Sequence, residues 1–373
     1  MTPTPLVLPP GRGGAETDAG AAPAGLAAPR STPQDADAVY FESPLTPRGT
    51  FHNPWGGMVL PKPADLIRWK LATNPHREEK RRPPSLPVVS EAVQAFDAVD
   101  APLKVLWPGH ATALVQTHDA NGRRVRVLID PIFGRAGGVV PRVTRSPIDA
   151  TTAPAPDVIA VTHGHHDHLD TPAIRALTRR CPEALVAVPR GLDRALPRGV
   201  PRVAVFDWWH RLEIAPGVDL VLVPAQHWHR RGAFDQNKAL WGGWVVRSPA
   251  GSVYHSGDTG DFGGFGAIGR VVGPVDVAIL PLGAYAPEWF MHPQHMPPGA
   301  SLRAFDALGA SHLLGMHWGT FDLSDEPIDA GPKALAQEIA REGRSPDRLH
   351  VLHHGGTLAL EGGVVRRTHA HGL

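Results

Sequence analysis

From residue 103 onward, short apolar runs recur between polar turns, at lengths suited to buried strands. Leu103–Trp107, Val125–Ile129, Val158–Val161, Val203–Phe206, Leu220–Val223, Val275–Leu280 and Leu349–Leu352 are of this kind. Helical signals fall between them. Thr171-Pro172 places proline at a first helical position behind a capping residue, a helix over roughly Ala300–Leu308 stops at Gly309, and a last one covers Pro332–Glu342. The alternation predicts a layered α/β body, with chemistry in the loops beyond strand ends. Upstream, Ala64–Leu71 has apolar residues at helical spacing, followed by a proline-bearing link around residues 74–87. The first 38 residues show no such pattern and contain 21 Ala, Gly or Pro. They bury too little surface to offset ordering entropy. The expected organisation is a disordered tail over 1–38, an extension over 39–100 packing on or covering the main domain, and that main domain over 101–373.

Composition narrows the function classes. The 373 residues carry 37 basic and 36 acidic side chains, a net charge of +1, which gives no support to nucleic-acid binding. A single cysteine, Cys181, excludes an intramolecular disulfide framework and a multi-cysteine zinc knuckle. No apolar run reaches the ~18 residues of a spanning helix, and no secretory signal opens the chain. The expectation is a cytoplasmic protein, or one peripheral at the inner membrane face.

Of the 21 histidines, three fall with an aspartate and a fourth imidazole in one turn. The strand Val158–Val161 is followed by Thr162-His163-Gly164-His165-His166-Asp167-His168-Leu169-Asp170. If the turn is tight, with Gly164 taking an unusual backbone angle, His163 and His165 face one cation while Asp167 and His168 face a neighbour. Neutral imidazole and carboxylate are ligands that zinc takes at about 2.0–2.2 Å. His166 is expected to point away. His227, Asp258 and His317, each in a turn-like context after an apolar run, are candidates to complete the set.

These residues resemble the metallo-β-lactamase superfamily, whose H-x-H-x-D-H cluster precedes later His, Asp and His. Within it, the chain is most similar to the N-acylphosphatidylethanolamine-hydrolysing phospholipase D family. The resemblance runs from about Phe51 to Leu360. It includes Trp107–Thr112, Asp130-Pro131-Ile132-Phe133, Arg145-Ser146-Pro147, Pro224–Trp228, Asp235–Lys238, Leu240-Trp241-Gly242, Gly257–Gly260, Pro281–Tyr285 and Met316–Phe321. It implies an αββα sandwich, the metallo-β-lactamase fold, with two zinc ions per chain at one edge of the sheets. On that pattern His163, His165 and His227 hold one zinc, Asp167, His168 and His317 the other, and Asp258 bridges them. Iron or manganese fits similar ligands.

Zinc brings bound water to a pKa of about 7, so hydroxide is available at neutral pH. Two dications, two carboxylates and a hydroxide leave a residual charge of about +1. That charge suits an anionic phosphodiester, without excluding lactones, lactams or other carboxylic esters. The resemblance implies hydrolysis of N-acylphosphatidylethanolamine to N-acylethanolamine and phosphatidic acid. Asp167 and Asp258 would take part through the metals, and Gln294 and His295, which match a family block, could position the phosphate or a leaving oxygen or be structural. His110 is a further candidate for contact with ligands or substrate. Asp170 either orients a ligand histidine or caps the helix at Thr171, the latter being favoured. His255 reads as a core histidine, and solvent exposure is expected for at least one of His353 and His354. Gly264-Phe265-Gly266-Ala267-Ile268-Gly269 fits G-x-G-x-x-G, but no strand directly precedes it and nucleotide binding is discounted. Phe51, Trp55, Met58, Val59, Leu60, Leu66, Ile67 and Trp69 give residues 51–71 an apolar density that suits peripheral membrane contact with a phospholipid substrate, or simple packing on the main domain.

Overall fold

The computed structural model describes residues 2–6, 37–42, 44–56, 58 and 61–372. The expected disordered tail falls mostly outside them, as do Val59 and Leu60. Within the tail, β1 (Thr4–Pro5) is described and pairs antiparallel with His210 and Arg211.

Two helices, α1 (Pro63–Leu71) and α2 (Arg77–Arg81), and a short α3 (Ala92–Asp97) precede the main body. The body begins with β2 (Leu103–Gly109), β3 (Thr112–His118), β4 (Arg124–Ile129) and β5 (Val158–Ala160). Helix α4 (Thr171–Arg180) leads to β6 (Leu185–Pro189) and β7 (Val203–Phe206). Next come β8 (His210–Ala215), β9 (Val218–Val223), β10 (Gly243–Ser248) and β11 (Gly251–His255). Helix α5 (Phe265–Val272), β12 (Val277–Pro281), α6 (Glu288–Met291), α7 (Pro298–Leu308) and β13 (His312–Met316) follow. The chain closes with α8 (Ala330–Glu342), β14 (Leu349–His350), β15 (Leu352–Glu361) and β16 (Val364–Ala370).

One sheet runs β16-β15-β2-β3-β4-β5-β6-β7 and the other β1-β8-β9-β10-β11-β12-β13-β14. Strand periodicity explains the layers. In the first sheet Val105, Val115, Val127, Ile129 and Ala160 face a core shared with Leu220, Leu222 and Val246 of the second. The intervening Leu106, Leu114, Leu128 and Ile159 face outward onto Ile174 and Leu177 of α4. Because successive side chains alternate faces, each fully apolar strand satisfies two layers at once. With α5, α7 and α8 also contributing apolar faces to the larger core, the result is the αββα arrangement the resemblance implied.

Two apolar runs behave differently from the expectation. Val203–Phe206 forms β7 but exposes alternate residues, because it is the free edge of its sheet. Leu349–Leu352 divides between sheets: β14 pairs with β13, and after Val351 the chain enters β15 beside β2. Both sheets contain parallel runs, β4-β5-β6-β7 and β11-β12-β13-β14. The carboxyl ends of these strands carry the turns that build the site.

Candidate metal centre

Each turn at this edge bends sharply. His110, Asp130, Ala284 and His317 all take left-handed φ between 45° and 63°, conformations non-glycine residues adopt only where the surroundings hold them. His110 lies in the β2–β3 turn, Asp130 just after β4, and His163–His168 after β5. His227 follows β9, Asp258 follows β11 and His317 follows β13. Both sheets therefore contribute.

The side chains converge in three groups: His163, His165, His227 and Asp258; His110, Asp167, His168 and His317; and Asp258, His295 and His317. His165 Nδ1 stands 2.9 Å from His163 Nε2 and 3.1 Å from His227 Nε2. Asp258 spans the groups. Its Oδ2 is 3.9 Å from both His163 Nε2 and His227 Nε2 and 3.2 Å from His168 Nε2, while Oδ1 is 3.1 Å from His317 Nε2. Asp167 Oδ2 lies 3.7 Å from His168 Nε2 and 3.8 Å from His317 Nε2.

The far nitrogens of the rings fix which atoms face inward. His168 Nδ1 donates to Asp130 Oδ2 at 2.7 Å, and His227 Nδ1 donates to the Gln294 carbonyl at 3.1 Å. Thr162 Oγ1 donates to Asp130 (2.6 Å) and so accepts from His163 Nδ1 (2.9 Å). This leaves lone pairs at three Nε2 atoms pointing at the centre. His168 Nε2, His317 Nε2, Asp258 Oδ1 and His295 Nδ1 are buried without a hydrogen-bond partner. Buried acceptors crowded together without donors are costly unless a cation lies among them. This donor set fits divalent metal ions, and it amounts to two His/Asp ligand groups.

The electrostatics of His163, His165, His227 and Asp258 match the charge states metal ligands take. Burial, reinforced by neighbouring imidazoles, holds His163 and His227 well below the usual histidine range and brings His165 to about 4. They are neutral, as ligands must be. For Asp258 burial acts upward, but His168 and His317 outweigh it and keep the carboxylate ionised. For His168 burial acts downward, and Asp258, Asp167 and Asp130 together raise it well above the usual value.

The remaining candidates are placed as follows. His110 Nε2 donates to Asp167 Oδ2 at 3.0 Å, while burial lowers its ring to about 3. His295 Nδ1 is 3.8 Å from Asp258 Oδ2. Gln294 reaches the site through its carbonyl, and its buried Oε1 has no partner. Asp170 occupies the N-cap position of α4, its carbonyl accepting from the Ile174 amide. His166 is exposed and turned to the Arg231 carbonyl at 3.2 Å. His255 is a satisfied core residue, donating to the Ala111 carbonyl and accepting from the Gly257 amide.

Three features differ from the sequence reading or were missed by it. Gly164 takes no left-handed angle. It is needed for space, since a Cβ there would lie 2.1 Å from His229 Cε1. His354 is fully buried against Thr320 Oγ1 (3.0 Å) and His353 is half-buried, so neither is exposed. Asp130, in sequence only part of the Asp-Pro-Ile-Phe block, is the carboxylate that orients a candidate ligand. The available signal was an Asp-Pro pair ending the apolar strand beside β5.

Residues of the extension brace the site from outside. Asn53 Nδ2 donates to the His227 carbonyl (3.0 Å), and Trp55 Nε1 donates to Gln226 Oε1 (3.0 Å). Gln226 Nε2 in turn donates to the Pro293 carbonyl (3.1 Å), next to Gln294.

A β-lactamase superfamily domain model matches residues 125–318. The chain is 30% identical over 328 residues to N-acyl-phosphatidylethanolamine-hydrolyzing phospholipase D 1 of Caenorhabditis elegans, covering 81% of this chain and 90% of that protein. It is 31% identical to a mitochondrial protein of the same name from Saccharomyces cerevisiae, over 72% of this chain and 58% of that longer protein. Among solved structures it is similar in fold to the isothiocyanate hydrolase from Delia radicum gut bacteria. That likeness has a TM-score of 0.53 and 20% identity, over 69% of this chain and 99% of that one. It is also similar to a metallo hydrolase of Ignicoccus hospitalis, with a TM-score of 0.50 and 23% identity over 71% and 98%.

Proposed function

We infer that this chain, which belongs to the metallo-β-lactamase superfamily and within it to the N-acylphosphatidylethanolamine-hydrolysing phospholipase D family, hydrolyses the phosphodiester of an N-acylphosphatidylethanolamine-type phospholipid. The products are an N-acylethanolamine and phosphatidic acid. That the chain is a metal-dependent hydrolase follows from two ligand groups set in this fold. The observation that carries the mechanism is the Asp258 carboxylate, which stands between the groups: Oδ2 is 3.9 Å from His163 Nε2 and 3.2 Å from His168 Nε2, and Oδ1 is 3.1 Å from His317 Nε2.

In this reading His163, His165 and His227 hold one ion and Asp167, His168 and His317 the other, with Asp258 shared and zinc as the metal. Such ions supply an acidified water and neutralise charge on phosphate oxygens. The protein's own share is geometric. His110 and Asp130 hold Asp167 and His168 by hydrogen bonds at 3.0 and 2.7 Å, so neither ligand rotates away as charge develops. His295, whose Nδ1 is 3.8 Å from Asp258 Oδ2, would orient the phosphate or hold a proton at the leaving oxygen. Gln294 fixes His227 through its carbonyl. The substrate assignment is supported by the matched relatives, whose names specify it. We place the protein in the cytoplasm or at the inner membrane face; none of the described helices is long and apolar enough to cross a membrane.

The test uses purified full-length protein. Near two metal ions per chain, with phosphatidic acid released from N-acylphosphatidylethanolamine in detergent, is expected, and Asp258→Ala should lose both bound metal and at least ~10³-fold in turnover. Rapid hydrolysis of lactones or lactams without phosphodiester cleavage would replace this substrate with a carboxylic ester.

A further inference from the structure

His317 differs from three other candidate ligands in how its ring is held. His163, His168 and His227 each have a partner on the nitrogen that faces away from the centre. His317 Nδ1 is buried too, yet among the described residues it has no hydrogen-bond partner. Metal-binding imidazoles normally donate that far N–H to a neighbour, which sets the ring plane. The aim of His317 rests instead on its backbone and on the His110 ring, whose centroid is 4.1 Å away. That backbone is in the left-handed region, at φ 61°, where a histidine stays only if its surroundings hold it.

The surroundings that hold it can be named. The His317 amide donates to the His110 carbonyl at 3.0 Å, and the Leu282 amide, just past β12, donates to the Met316 carbonyl at 2.8 Å. Gly283 comes closer still: a Cβ there would lie 2.2 Å from the His317 carbonyl oxygen. The segment after β12 is thus the wall behind the His317 turn. Its next residue, Ala284, is itself left-handed at φ 63°. Glu326 clamps it. One carboxylate oxygen accepts from the Ala284 amide at 2.6 Å and the Tyr285 amide at 3.3 Å, and the other accepts from the Ala286 amide at 3.0 Å. Three consecutive amides converging on one anion form a nest that the chain fills with its own side chain. Glu326, Ala284, His110 and His317 line one small cavity.

Glu326 is in turn held from outside by the extension. Asn74 Nδ2 donates to the Asp325 carbonyl and to Asp325 Oδ1, both at 3.1 Å. Lys80 of α2 donates to the Ser324 carbonyl and pairs with Asp322. The Asp325 amide donates to the Ala286 carbonyl at 2.9 Å, which ties the 322–326 loop to the segment it clamps. Contacts therefore run without a break from residues 74–80 through 322–326 and 284–286 to the backbone of His317.

We propose that Glu326 is a positioning residue for His317, and that Asn74 and Lys80, by holding Glu326, tune the affinity of the ion on the His317 side of the centre. The role rests on the reading above in which His317 is a ligand with Asp167 and His168; it does not depend on the substrate.

The test is competition of zinc-loaded, full-length protein with a chromophoric chelator, which reads the zinc affinities without turnover. Glu326→Ala should weaken one ion by about 10–100-fold and leave the other within about twofold. Glu326→Gln keeps an acceptor for Ala284 but turns an NH2 toward another amide, and should weaken the same ion by roughly three- to tenfold. The outer variant N74A/K80A should have an effect of roughly that size and add nothing to Glu326→Ala, since it acts through the same carboxylate. In Glu326→Ala and N74A/K80A, hydrogen exchange at the 284–286 amides should quicken while the His163–His168 turn keeps its parental rates. His317→Ala marks the ion concerned, and Glu326→Ala added to it should bring no further loss. Equal weakening of both ions, or parental affinities in Glu326→Ala and Glu326→Gln, overturns the proposal. Parental affinities in N74A/K80A overturn the part given to the extension. If Glu326→Ala does not fold, Glu326→Gln and N74A/K80A carry the same test. Two parental affinities in His317→Ala would remove His317 from the ligand set and this role of Glu326 with it. Failure to hydrolyse N-acylphosphatidylethanolamine, with the selective loss of one ion still seen, removes the substrate assignment alone.

Discussion

Asp130 is completely buried, yet its carboxylate is fully engaged. It accepts from the Thr162 amide at 2.7 Å, the Thr162 hydroxyl at 2.6 Å and His168 Nδ1 at 2.7 Å. Three donors on one anion fix the His168 ring and, through Thr162, the orientation of His163. Asp130→Asn keeps the shape but turns an NH2 toward one of these donors. It should weaken metal affinity by about 10–100-fold in a competition with a chelator, while the far-ultraviolet circular dichroism stays parental. The seven candidate ligands were readable because four of them are nearly contiguous and the other three follow apolar runs. Asp130 was not, because its partner His168 is 38 positions away and joined to it only by the parallel pairing of β4 with β5. The role of Gly164 is hidden in the sequence for a related reason. Sequence shows that a side chain is missing there, but not that the His229 ring fills the space.

Among the elements, α5 shows how a motif can be physically meaningful without its usual ligand. Its glycines follow G-x-G-x-x-G, yet a Cβ on Gly269 would sit 2.2 Å from the Leu308 carbonyl oxygen of α7. The spacing serves a close helix crossing on the outer layer. Gly269→Ala should therefore cost about 1–3 kcal/mol in denaturant unfolding, with metal content unchanged; a loss of metal instead would place this helix in the site. Strands buried on both faces, such as β5 and the Leu220–Val223 part of β9, stand out as continuous apolar runs. The edge strand β7 looked the same in sequence, since an apolar run does not record how many neighbours it has. Nor could the run at 349–352 announce that it leaves one sheet and enters the other. The extension announced its apolar content but not its task. Only the fold sets Asn53 and Trp55 against the His227 turn.

At the scale of the molecule, the centre is assembled from turns of both sheets, so occupied ions tie the two layers together. Whatever binds the folded state and not the unfolded chain stabilises it by mass action. Stripping the metal should lower stability by up to about 4 kcal/mol relative to protein held at a thousandfold excess over the dissociation constant. The readout is the melting temperature with and without chelator, reversed by adding zinc; identical melting curves would mean that the ligand groups are held entirely by the surrounding packing. The division of labour between the halves has a further consequence for inheritance. His163, His165, Asp167 and His168 lie on one side of residues 169–226, and His227, Asp258 and His317 on the other. A recombination crossover anywhere in that interval splits the set four to three. Chimeras between relatives can thus function only when both parents place their half at the same spot.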